Sequence, residues 1–197
     1  MDFAIIGGTF NPIHIGHLIC AERAYLEFDL DKVIFMPAGN PPHKGENDVI
    51  SADHRYDMLK LVVEDNDHFE ISDWEIRKKE KSYTAETIDH FKDKYNVKRV
   101  NIIIGTDSLA EIFNWYEPEY ILNNSNLLVA KRQDYSFTNI MQDQRLRIYE
   151  DSIHILDNSM IEISSTMIRK LVSNGKSIRY LTPDVVIEYI KKNKLYR

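Results

Sequence analysis

At 197 residues with 43% hydrophobic composition, the chain is sized for one domain, 1–197, with ample material for a buried core. A net charge of −6 argues against a general nucleic-acid binder, which carries a basic excess, and no apolar run approaches the roughly 18 to 20 residues that cross a bilayer. The lone Cys20 cannot close an intramolecular disulfide and no leader-like segment precedes the first apolar run, so a soluble cytoplasmic protein is expected, and any phosphate ligand would require the minority positive charge to be gathered locally.

The first apolar run, Phe3 to Ile6, predicts a strand, and "GGTFNPIHIGH" at 7–17 follows it directly. Gly7 and Gly8 allow a sharp turn and a close backbone approach to a ligand. A helix is expected over 16–28, and its first-turn amides would present the positive end of the helix dipole at the carboxyl end of that strand, a place that attracts phosphate. His14 and His17 add two imidazoles there. Two other readings stand beside this one: a plain turn with surface histidines, or a metal site completed by His43 and His54, although one thiol and irregular spacing give that site no recognisable pattern.

A second strand is expected over 33–36, leading into the long loop "PAGNPPHKGEND" at 37–48, whose prolines and glycines prevent regular structure. A helix over 52–65 follows, with Met58, Leu59 and Leu61 as core candidates and no role assigned to His54 or Arg55. The remaining pattern predicts helices over 84–94, 106–113, 139–149, 165–173 and 183–192, and strands over 100–104, 126–130 and 153–156. Gly175 is expected to close the helix before it, and Thr182 with Pro183 to open the last one as N-cap and first-turn residue. The alternation predicts βα repeats around a mainly parallel sheet flanked by helices, an α/β fold. No G-x-G-x-x-G occurs, and "NGKS" at 174–177 lacks the earlier glycine of a P-loop.

Near the carboxyl end, "ISSTMIR" at 163–169 reads as an extended residue, Ile163, entering a helix whose first turn holds Ser164, Ser165 and Thr166, with Arg169 one turn on. The hydroxyls can cap the helix or meet a polyphosphate, and Arg169 can be solvated surface or a phosphate donor. "GGTFNPIHIGH" resembles the T/H-x-G-H signature of the nucleotidylyltransferase superfamily, and "ISSTMIR" is similar to its second signature. The resemblance implies a Rossmann-like single domain with the nucleotidylyltransferase fold.

Further stretches, "NPPHK" at 40–44, "HRYDML" at 54–59, "KSYTAET" at 81–87, "IIGTDSL" at 103–109, "WY" at 115–116 and the tail from Leu181, are similar to the bacterial nicotinate-nucleotide adenylyltransferase family. That resemblance implies transfer of adenylate from ATP to nicotinate mononucleotide, with Mg²⁺ accompanying ATP, as a step of NAD biosynthesis. ATP would meet Gly7, Gly8, Thr9, Phe10, His14, His17, Gly105, Asp107, Ile163, Ser164, Ser165, Thr166 and Arg169, with His14, His17 and Arg169 in catalysis. Nicotinate mononucleotide would meet Asn40, His43, Lys44 and Arg132 at its phosphate, Trp115 at its ring, and amides around Thr84 and Tyr116 at its carboxylate.

Without the resemblance, Trp115 reads as core, Asp107 as a helix cap and Tyr83 as packing. Three positions depart from the family pattern: Asn11 stands where Asp is common, Thr106 within "G-x-D", and Gln133-Asp134 where Pro-Gly usually follows the arginine. No nucleic acid or membrane partner is expected, and self-association is left open. Adenylyl transfer to nicotinamide mononucleotide or phosphopantetheine, a nucleotide-binding regulator without turnover, and a metal-dependent hydrolase built on the histidines are the competing functions.

Overall fold

The structure, a computed structural model, describes residues 1–39, 49–78, 81–133, 135–157 and 161–197. Six strands form one sheet: β1 (Phe3–Gly8), β2 (Lys32–Pro37), β3 (Phe69–Ile71), β4 (Val100–Gly105), β5 (Ser125–Ala130) and β6 (Ile153–Ile155). Their order is β3-β2-β1-β4-β5-β6, and every pairing is parallel. A parallel sheet needs both faces covered, which explains why β1, β2, β4 and β5 read as unbroken apolar runs rather than alternating ones.

The register sorts those runs into two cores. Ile6 pairs with Phe35 and Ile103, and all three face one side with Ala4, Val33 and Leu128. Against that face pack α1 (Ile15–Glu27), α2 (Ala52–Val63), α8 (Ser165–Ser173) and α9 (Asp184–Lys192). Ile5, Ile34 and Ile102, one residue out of phase, face the other side. There they meet α3 (Thr84–Tyr95), α4 (Thr106–Ala110), α5 (Pro118–Asn124) and α7 (Gln144–Arg147), with the short α6 (Phe137–Ile140) at the edge.

The expected α/β architecture is present, with five differences, the first that the helix expected over 106–113 is α4 (Thr106–Ala110) followed by a separate 3-10 turn (Ile112–Asn114). β3 and α5 had no counterpart in the expected pattern: β3 is three residues long with only Phe69 buried, and α5 is a seven-residue helix announced by Pro118 alone. The helix expected over 139–149 is two short ones, because Ser136 and Asp143 each start a new turn by accepting a backbone hydrogen bond, from the amides of Asn139 and Arg145. Leu61 is 36% exposed rather than core, since the buried stripe of α2 is Arg55, Met58, Leu59 and Val62, at i, i+3, i+4 and i+7. Thr182 is not the cap of α9; Pro183 holds that position, and the buried Thr182 hydroxyl donates to the Ile13 carbonyl at 2.8 Å. Gly175 closes α8 as expected, with Gly175 N–H on Val172 O and Lys176 N–H on Leu171 O, the paired bonds of a Schellman turn.

In this strand order β1 and β4 are neighbours whose connections leave to opposite faces, so their carboxyl ends border the crevice in which open α/β sheets bind ligands. Gly7 and Gly8 end β1 and Gly105 ends β4, which puts both expected ligand-facing turns at that crevice. Among the described residues no helix is long and apolar enough to cross a membrane.

Candidate active site

A cavity of about 930 Å³ opens at these strand ends. Gly7, Gly8, Thr9, His17, Gly105 and Asp107 line one part of it; Thr84, Trp115 and Tyr116 line another, with Arg132 and Lys131 also in the wall. The first signature therefore shares one cavity with the residues expected to hold an aromatic carboxylate.

His14 is the N-cap of α1, and its amide donates to His17 Nδ1 at 3.3 Å. An accepting nitrogen carries no proton, so a singly protonated His17 ring holds its proton on Nε2. The two rings stack at 3.6 Å, and Phe10 meets His17 edge-on at 5.0 Å. Burial, reinforced by the charge of Arg132, lowers the His14 pKa to about 4, and its Nδ1 has no hydrogen-bond partner. The pair is thus one buried neutral ring supporting a second ring at the cavity wall.

The second signature does not line the cavity. It meets the first at the Asn11–Pro12 turn, whose peptide bond is cis. Ser165 Oγ donates to Pro12 O at 2.8 Å, and Arg169 Nη1 donates to Asn11 O at 3.0 Å while its Nη2 reaches Thr166 Oγ1 at 3.3 Å. Ser164 caps α8 by accepting from the Met167 amide at 3.1 Å, so the capping reading holds for Ser164. Ser165 commits its hydroxyl proton to the protein, which leaves the backbone amide of the first turn as the group it could offer an anion. Arg169 is not solvated surface but a brace on the first signature, set beside the orphan amides of its own helix.

Asp107 is the second residue of α4 and makes no side-chain cap, which removes the capping reading. Its Oδ1 is buried without a hydrogen-bond partner, and the nearest cation, Arg132 Nε, stands 3.9 Å away. A buried acceptor left open is uncommon and calls for a donor from outside the chain. Gly105 makes room for it, since a Cβ there would overlap the Asp107 carboxylate.

On the far side, Thr84 opens α3, with Tyr83 as N-cap, so the first amides of that helix border the cavity. Tyr83 and Tyr116 rings lie 4.7 Å apart, and Trp115 is half-buried at the wall rather than in the core. Asn40, His43 and Lys44 lie outside the described residues, as does Asp134. Arg132 is placed beside Asp107, and its amide donates to the Oγ1 of the fully buried Thr106 at 3.0 Å. Thr106, which the sequence leaves without a role, therefore fixes the backbone of that arginine.

Two lining residues were given no role from the sequence, Glu75 and, within "KSYTAET", Ser82. Ser82 Oγ is buried without a partner, and Glu75, whose carboxyl burial pushes up, accepts from Thr87 Oγ1 at 2.8 Å. Among the described residues no group of three or more His, Cys, Asp or Glu side chains converges as a metal cage.

The cytidylyltransferase-like family model matches residues 5–171. A protein of Caldicellulosiruptor bescii named "Probable nicotinate-nucleotide adenylyltransferase" is 46% identical over all of both chains. One of the same name from Desulfitobacterium hafniense is 43% identical over 98% of this chain and 94% of its own. Among solved structures, Plasmodium falciparum nicotinic acid mononucleotide adenylyltransferase complexed with NaAD superposes with a TM-score of 0.82 at 18% identity, over 98% of this chain and 96% of that one. The same enzyme complexed with APC gives 0.80 at 16% identity, over 100% and 98%. At those identities the structural likeness carries the fold.

Proposed function

The chain belongs to the cytidylyltransferase-like family and, within it, to the nicotinate-nucleotide adenylyltransferases, and from that premise we propose that it joins ATP to nicotinate mononucleotide. The products are nicotinate adenine dinucleotide and pyrophosphate. The observation that carries the reading is the shared cavity: the T/H-x-G-H turn and the orphan Asp107 acceptor border the same space as the α3 amides and Trp115.

A phosphate monoester has a second pKa of about 6, so the acceptor is largely a dianion at neutral pH and attacks without a protein base. One of its oxygens bonds to the α-phosphorus of ATP, and the bond to the bridging oxygen breaks with its electron pair leaving on pyrophosphate. Charge builds on the phosphate oxygens as this happens, and the site is made of donors to meet it. His17, through Nε2–H, and the amides of Thr9 and Phe10 serve the α-phosphate. Arg169, with the first-turn amides of Ser165 and Thr166, serves the leaving phosphates, and His14 holds the ring of His17 in its stack. Arg132, beside Asp107, serves the acceptor phosphate, with Asn40, His43 and Lys44 as further donors, and Asp107 accepts from the ribose.

The groups proposed to meet phosphate are imidazole, guanidinium and amide, and among the described residues no three metal-ligating side chains converge, so Mg²⁺ would be carried by phosphate oxygens and water. When bound, Mg²⁺ neutralises charge on the departing pyrophosphate. At the other end, the α3 amides favour a carboxylate over a neutral carboxamide, and Trp115 offers a face to the pyridinium ring.

Purified protein with ATP and Mg²⁺ should release pyrophosphate when nicotinate mononucleotide is added and not when phosphopantetheine is. Consumption of ATP with no acceptor present would instead indicate a hydrolase, and no consumption with any acceptor a regulator.

A further inference from the structure

Arg55 is 1% exposed and holds a position on the buried stripe of α2 that its neighbours Met58, Leu59 and Val62 fill with apolar side chains. Among the described residues its donors go to three backbone carbonyls and to no carboxylate: Nη1 to Thr9 O at 2.9 Å, Nη2 to Gly39 O at 3.1 Å, Nε to Ile50 O at 3.3 Å. Burying a guanidinium without a counter-charge is expensive, and an apolar residue would complete the stripe at lower cost. The three carbonyls belong to no helix or strand. Thr9 lies in the turn after β1; Gly39 and Ile50 stand on either side of 40–48.

We propose that Arg55 is a positioning residue for both substrates, holding the nucleotide-binding turn and both flanks of segment 40–48 in one fixed relation. The inference rests on the reading above, in which the turn meets ATP and 40–48 carries donors for the acceptor phosphate. A trans peptide points its N–H opposite to its C=O, so tying the Thr9 carbonyl to Arg55 aims the Phe10 amide the other way. Phe10 sits at φ 49°, a left-handed conformation that a bulky residue holds only when its neighbours impose it. Thr9 is fixed on one side of it by Arg55. On the other, Asn11 accepts the Tyr196 hydroxyl at 2.9 Å and the Ile50 amide at 3.5 Å on Oδ1, and Arg169 on its carbonyl. Ile50 is thereby bound through both its peptide groups, to Arg55 and to the turn. Gly39 passes flush against Glu75, where a Cβ would overlap the Glu75 carbonyl, so that flank has one path.

Arg55→Lys and Arg55→Met separate positioning from stability. Lysine keeps the charge but lacks the planar fork that reaches three acceptors. At a temperature where circular dichroism shows folded protein, Arg55→Lys should lose roughly ten- to a hundred-fold in kcat/KM toward both ATP and nicotinate mononucleotide, with kcat itself reduced. Arg55→Met should lose more; if it does not fold, Arg55→Lys decides alone. A variant with a lower Tm but wild-type kcat and both KM values overturns the proposal, as does a loss confined to one substrate. If the wild-type protein turns over no acceptor, the functional reading fails separately, and calorimetry with ATP then decides: weaker binding by Arg55→Lys upholds the positioning of the turn, and unchanged binding overturns it.

Discussion

His14 and His17 belong to one motif, yet their surroundings divide their work. His17 lines the cavity and in the proposed reaction donates to the α-phosphate, so His17→Ala should lower turnover on the order of 10²-fold or more, as loss of an oxyanion donor does, with a smaller effect on ATP affinity. His14 is neutral and buried, and its pKa of about 4 lies below the ordinary 6.5. The unfolded chain binds the proton first as pH falls, so stability is intact above 6.5 and is lost as pH falls toward 4. That single group should cost about 2 kcal/mol between pH 7 and pH 5 in urea unfolding, a slope that His14→Gln should remove. Gly105→Ala should push Asp107 aside and raise the KM for ATP about ten-fold with little change in Tm; an unchanged KM would separate Asp107 from nucleotide binding. The histidines and Arg169 were named from the two signatures and Asp107 from the family resemblance; the structure puts His17 and Asp107 on the cavity wall, and His14 and Arg169 behind them. Glu75 was not legible, since a lone glutamate announces nothing until a cavity closes over it, and Ser82, though inside "KSYTAET", was given no role there. Arg55 did leave a mark in the sequence: a charged residue in phase with Met58, Leu59 and Val62.

At the scale of elements, the strongly periodic segments were readable and the short ones were not. β1, β2, β4 and β5 are central and buried on both faces, which leaves continuous apolar runs, whereas β3 has three residues and one buried side chain. The region 137–149 carries enough helical pattern for one helix, but two side-chain caps divide it. Helix ends also serve the site directly. The start of α9 is tied to the turn before α1 by the Thr182 hydroxyl on Ile13 O, with Ile15 N–H on Leu181 O at 3.0 Å beside it. Thr182→Val keeps the shape and strands a buried carbonyl, so urea unfolding should show a loss of about 1–3 kcal/mol; a loss of a few tenths would mean that the carbonyl finds another donor. Such contacts link residues 169 apart in sequence, and no local pattern reports them.

For the whole molecule, the order β3-β2-β1-β4-β5-β6 is what builds the crevice: β1 delivers the first signature, β4 delivers Gly105 and Asp107 beside it, and α8, on the face already occupied by α1, braces the first signature through Ser165 and Arg169 without lining the cavity. Charge follows the same plan. A chain of net charge −6 brings Lys131 and Arg132 to this cavity wall with His17, beside the carboxylates of Glu75, Asp107 and Glu111, and Arg169 braces the first signature through the Asn11 carbonyl. The sequence made the parallel α/β plan and the crevice predictable, while the side of the cavity on which Arg132 stands depended on the Thr106 bond. The central claim is that this crevice joins ATP to an acceptor chosen by its carboxylate. Its most direct test is competition: equal nicotinate and nicotinamide mononucleotides with limiting ATP and Mg²⁺, the dinucleotide products separated by chromatography and identified by mass. The account predicts nicotinate adenine dinucleotide in large excess. Equal yields, or an excess of the amide product, would contradict the carboxylate end of the site, and no dinucleotide at all would contradict the reaction.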